Sequence, residues 1–177
     1  MGLQLDNLDA RTRQLMLDEL ERDVARGRLY LSHRLSEGGR ADYARLLRAA
    51  VQSGSDESLA DELRSHDRML LTSRWERARG GPIVAELPAS APDLLAEGEF
   101  HRFYLRGLCR RALEDGIHAL VIYRAKPVEQ ARVKAEAMVG VRIDAGSLLE
   151  DLRGYRGDVP PRGLPPCPDA SLSARLP

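Results

Sequence analysis

The chain has 177 residues and a mass of 19.7 kDa, enough for one ordinary domain or one domain with a small helical appendage. Hydrophobic residues make up 43% and charged residues 31%, which permits a packed core and argues against global disorder. The 27 cations balance 27 anions, so neither a strongly basic nucleic-acid binder nor an acidic tail describes the chain as a whole.

Residues 8–26 read as an amphipathic helix, with Leu8, Met16, Leu20 and Val24 near one face and Gly27 placed to end it. A second helix is expected from about Gly39 to Gln52, where Tyr43, Leu46, Leu47, Ala50 and Val51 recur at core-facing spacing and Gly54 stops the run. Ser55 or Asp56 then caps a third helix carrying Leu59, Ala60 and Leu63. These three form a helical layer over residues 1–66. Residues 67–79 are ambiguous: Arg74 to Arg79 suit a helix, but Trp75 has no clear apolar stripe around it.

Gly80-Gly81-Pro82 is a break, and Ile83 to Leu87 suits a short strand. The strongest helix signal covers 91–115. Ser90 is the expected N-cap, Asp93 completes a capping-box pattern, Pro92 fits the first turn and Gly116 ends the helix. Gly98 and Gly107 inside it suggest close approach of another element. Residues 118–126 are the expected central strand, with Leu120 and Ile122 on one face, Val121 and Tyr123 on the other, and both faces covered. A helix over Val128–Met138, a strand over Val139–Ile143 and a short helix capped by Asp144 follow. Residues 154–177 hold six prolines and read as a tail. The expected fold is therefore α+β and mostly helical: a helical layer (1–66), an α+β core (67–153) and a Pro-rich tail (154–177).

Residues 101–142 carry nine basic and four acidic side chains in a chain of zero net charge. Arg102, Arg106 and Arg110 recur every fourth residue and form one ridge. With Arg111, Arg124 and Lys126 they are the candidate anion- or nucleic-acid-binding residues. The competing reading neutralises the ridge internally through Glu97, Glu99 and Glu114. Aromatics, at 5%, are too few for a stacking platform, and no nucleic-acid module is visible. Leu164, Leu172 and Leu176 are spaced apolar anchors in the tail and are the candidate docking residues.

Enzyme chemistry finds little footing. A restriction-type nuclease needs a carboxylate beside a Glu-x-Lys, and the strand offers Arg124-x-Lys126, whose cation would repel a metal. Glu97 and His101 share a helix face, but two ligands are too few for a metal site. Cys109 and Cys167 sit in unlike contexts and are expected as reduced thiols, Cys109 buried. No Gly-rich phosphate loop or nucleophile elbow is present. Val121-Ile122-Tyr123-Arg124-Ala125 resembles the first-strand arginine motif of ADP-ribosyltransferases, and the resemblance implies an NAD contact for Arg124. It spans about five residues, and the family's Ser-Thr-Ser and Glu-x-Glu motifs do not follow.

The expectation is a non-enzymatic adaptor or assembly protein, such as a structural component of a phage-type particle, without cofactor or metal, joined to protein partners or to itself. Nucleic-acid binding through residues 101–142 is the alternative and an NAD-using transferase the remote one. Residues 1–9 show no basic or apolar leader segment and no run suits a membrane span, so a cytoplasmic protein without membrane partners is expected.

Overall fold

A computed structural model describes residues 2–75, 83–127, 133–154 and 171–177. It is α+β and mostly helical. Helix α1 spans Ala10–Ala25, α2 Glu37–Ser53 and α3 Asp56–Arg64. Each begins on a side-chain oxygen that accepts from an otherwise unpaired backbone N–H: Asp9 from Thr12, Ser36 from Gly39, and Ser55 from Ser58 in a reciprocal capping box. The outgoing end of α2 is capped from α1, because the Arg13 guanidinium donates to the carbonyls of Ala50, Val51 and Gly54 at 2.8–3.2 Å.

Strands β1 (Thr72–Trp75) and β2 (Ile83–Glu86) pair antiparallel as a separate two-stranded sheet. Arg74 and Trp75, which suited a helix from sequence, lie instead in β1, and residues 76–79 lie outside the described residues. Helix α4 (Ala91–Glu114) runs through the centre for about 36 Å at 1.5 Å per residue. Its expected capping box is not formed. Ser90 has helical backbone angles, so its hydroxyl caps nothing, and Asp93 pairs with Arg64 instead.

Strand β3 (Ala119–Arg124), the one-turn helix α5 (Val133–Glu136), strand β4 (Arg142–Asp144), helix α6 (Ala145–Gly154) and strand β5 (Leu172–Arg175) complete the chain. The second sheet is antiparallel in the order β4-β3-β5. Of the longer helix expected over Val128–Met138, only the turn at 133–136 is seen, and residues 128–132 lie outside the described residues. Asp144 starts α6 as expected, accepting from the Ser147 N–H at 2.7 Å.

One apolar cluster runs from Met16 on α1 to Ala174 on β5, with Phe100, Phe103, Tyr104 and Leu108 of α4 at its middle. The helical layer, α4 and the sheet therefore share one core. Gly107 explains the tight α1–α4 crossing, since a Cβ there would lie 2.9 Å from the Met16 nitrogen and 3.0 Å from the Thr12 carbonyl. Gly98, read from sequence as a second close approach, has open space beside it. β3 also differs from expectation. Leu120 and Ile122 are buried, but Val121 and Tyr123 are only half-buried. Tyr123 instead meets the N-terminal segment, its Oη donating to the Gln4 carbonyl at 2.7 Å and accepting from the Asp6 N–H at 3.0 Å.

Candidate functional site

The six cations singled out from sequence do not form an exposed ridge. Arg102 is 3% exposed and Arg106 fully buried. The α4 face that carries them meets α1, which presents Asp9, Asp18, Glu19 and Asp23. Arg106 holds Glu19 at 2.8 Å and Asp23 at 2.5 Å, and its guanidinium carbon lies 5.0 Å from the centre of the Phe103 ring. Arg102 pairs with Glu99 at 2.6 Å, Arg110 with Asp18 and Glu114 at 3.2 Å each, and Arg111 with Asp9 at 2.6 Å. Arg124 pairs with Glu136, and Lys126 with Glu97 at 2.8 Å.

The expectation of an exposed basic face is corrected for a plain reason. Fourth-residue spacing places cations on one side of a helix, but only the fold decides which side is covered. Glu97, Glu99 and Glu114 take part as the internal reading foresaw. The α1 acids, which carry the buried part of the network, were missed. Acids and arginines alternate along α1 as on a solvated helix surface, and nothing in that pattern marks Glu19 and Asp23 as buried.

Environment splits the carboxylates of this seam. Burial pushes Glu19 upward, but hydrogen bonds from Arg153 and Arg106 more than offset it and hold the carboxyl below its ordinary range. Glu99 goes the other way: burial outweighs Arg102, and the carboxyl is raised.

The candidate metal pair is also consumed. Glu97 is taken by Lys126, while His101 is buried on α4 with Nε2 2.9 Å from Ser173 Oγ on β5. Among the described residues no three His, Cys, Asp or Glu side chains cluster as metal ligands. Cys109 is buried and its thiol is pushed up to about 12 by desolvation, an inert setting. Cys167 and Leu164 lie outside the described residues. A cleft of about 360 Å³ opens between α3 and α4, lined by Asp56, Glu57, Asp61, Asp93 and Glu97 with Arg64 and Lys126. The cations there are paired to Asp61, Asp93 and Glu97.

His101 yields a sharp expectation. Burial lowers its pKa from 6.5 to about 4. The unfolded chain therefore binds a proton that the folded chain refuses, and stability falls as pH drops from 6.5 toward 4. At 1.36 kcal/mol per unit the loss is about 3 kcal/mol. Chemical denaturation from pH 7 to pH 4 should show this slope in the wild type and a flatter one in His101→Gln; parallel curves would show that the ring protonates in place.

The docking residues fare differently. Leu172 and Leu176 belong to a segment that packs on its own domain: Leu172 is buried in β5 and Leu176 is half-buried, its N–H donating to Asn7 Oδ1 at 2.9 Å. Elsewhere, the β1–β2 hairpin forms a two-stranded sheet of its own. Its root is fastened by the Leu35–Met69 bridge, by Leu70 N–H to the Arg34 carbonyl at 2.8 Å, and by Leu87 N–H to the Leu71 carbonyl at 3.0 Å. Leu70 is partly exposed there, and Leu71 is 86% exposed. Among the described residues neither β1 nor β2 pairs with a third strand. Sequence reading passed over Met69-Leu70-Leu71, although three apolar residues ahead of a strand were a legible signal.

No protein-family model matches this chain, and neither a characterised protein nor a solved structure matches it significantly. Among the described residues no helix is long and apolar enough to cross a membrane.

Proposed function

We propose that this chain is a non-enzymatic assembly or adaptor protein that joins neighbouring subunits of a larger particle through the β1–β2 hairpin. The observation that carries the reading is Leu71, 86% exposed at the root of a hairpin whose strands, among the described residues, pair only with each other. A large aliphatic side chain in water, beside strands that among the described residues pair with no third strand, is a template for pairing with another chain. Leu70, its neighbour in the chain, is also partly exposed. The polar groups that could have argued for catalysis or for phosphate binding are spent on internal pairs, which lowers the weight of the NAD and nucleic-acid readings.

The test is the association state of the full chain. Sedimentation over a concentration series should show self-association in the wild type and its loss in Leu71→Asp, with the thermal midpoint changed by no more than a surface substitution normally causes. A wild-type chain that stays monomeric throughout, or an Asp variant that associates equally well, would remove the hairpin as the joining surface. Retention on duplex DNA at low salt would instead favour the nucleic-acid alternative.

A further inference from the structure

We infer that the groove between α4 and β3 is a strand-accepting site, and that its second occupant is β5 of another copy of this chain. The groove reads its strand in detail. β5 pairs with β3 antiparallel over four residue pairs, from Val121–Arg175 to Arg124–Leu172. Underneath, α4 supplies two side chains to it: His101 Nε2 lies 2.9 Å from Ser173 Oγ, and Tyr104 Oη donates to the Ala174 carbonyl at 3.2 Å. Leu172, Ser173 and Ala174 are buried there. Residues 2–8 close the far end, where Asp6 pairs with Arg175 at 3.0 Å and Asn7 accepts from Leu176 N–H.

The contacts named here between the groove and residues 171–176 come from residues 6–125, and none from α6, the element that precedes β5. Recognition of the strand is thus independent of how it is connected. The connection is residues 155–170, sixteen positions with five prolines. Sixteen residues can span at most about 55 Å, while a domain of this length has a radius of gyration of about 16 Å. A β5 that leaves its own groove can reach the groove of an adjoining copy and make identical contacts there, the usual basis of an exchanged element. At low concentration the tether favours the chain's own strand. Exchange gains as the protein concentration rises, because the two effective concentrations then become comparable. The inference does not rest on the hairpin reading, since it uses no residue of the hairpin and would survive loss of the Leu71 contact.

The test uses the exposed Asp6–Arg175 contact as a reporter in full-length chains that all carry Cys167→Ser. Asp6→Cys and Arg175→Cys chains are mixed, unfolded and refolded together at rising protein concentration, then treated with a short bis-maleimide. Exchange predicts a covalent dimer of one Asp6→Cys and one Arg175→Cys chain in large excess over the two homodimers combined, increasing with concentration. Random collision would give the mixed product in no more than equal amount to the homodimers, and that result, or no dimer at all, overturns the inference. The double variant Asp6→Cys/Arg175→Cys at low concentration should close within one chain. Failure of that closure would show that β5 does not occupy the groove in solution and would overturn the site itself. Leu71→Asp in the same background should leave the mixed product unchanged, which separates this outcome from that of the hairpin proposal.

Discussion

Arg106→Met should lower the unfolding free energy by about 3–5 kcal/mol, the scale for removing one partner of a buried ion pair. Arg106 is fully buried and donates through three nitrogens to Glu19 and Asp23. Methionine fills much of the same space but leaves Asp23 without this cation. Glu19 keeps Arg153, at 3.0 Å from its Nε, so the network is weakened rather than abolished. Arg106→Lys should fall between wild type and Met, because an ammonium supplies the charge but not the planar fork. Urea titrations of the three proteins at pH 7 decide the matter, and a loss below about 1 kcal/mol for Met, the value of an ordinary surface pair, would show that the seam is solvated.

The same network has a pH signature. The Glu19 carboxyl is depressed in the fold, so its contribution is complete above its unfolded pKa and is lost as pH falls through the depressed folded value. Removing Arg106 should weaken that acid-side dependence. Glu99, whose carboxyl is raised, acts with the opposite sign: the fold loses stability as pH rises through the unfolded value. Arg106→Met should therefore tilt the pH profile as well as lower it.

Gly39→Ala is the second large effect expected. A Cβ at residue 39 would sit 2.0 Å from the Arg68 carbonyl oxygen, far inside contact distance, and the obstacle is backbone rather than a flexible tip. Alanine normally gains about 1 kcal/mol over glycine inside a helix, yet here overpacking should dominate and cost about 1–3 kcal/mol net. The strain has a direction. The Arg68 carbonyl accepts from Ser36 N–H, the N-cap of α2, and Met69 and Leu70 continue from it toward the hairpin root. Gly39→Ala should push that segment outward and expose the root further. Hydrogen exchange at Ser36 and Leu70 should quicken in the variant; unchanged protection with unchanged stability would show that the contact is slack. Gly38→Ala is the control, since only the distant Ser36 hydroxyl lies near its added Cβ.

Much of the architecture was legible because it is local. The caps at Ser55 and Asp144, the stop at Gly54 and the core face of α2 follow from short-range hydrogen bonding and 3.6-residue spacing, which the sequence states directly. The Ser90 capping box failed because a capping pattern also needs an extended backbone at the cap, and that angle is set by the turn after Leu87. The tail reading missed β5 for a different reason. Leu172–Arg175 is four residues long among prolines, and it becomes a strand only because β3 offers an edge and α4 offers His101 and Tyr104 beneath it.

The charge pattern divides in the same way. Sequence alone determined that Arg102, Arg106 and Arg110 share a side of one helix, because helical periodicity fixes angles along a single element. Which side of α4 turns inward depends on Gly107 letting α1 approach, and on α1 bringing Glu19 and Asp23 from more than eighty residues away. Burial and pairing between distant elements are properties of the packed chain, so the tertiary structure decided that these arginines bind the protein's own acids, and that the apolar root at Leu71 faces water.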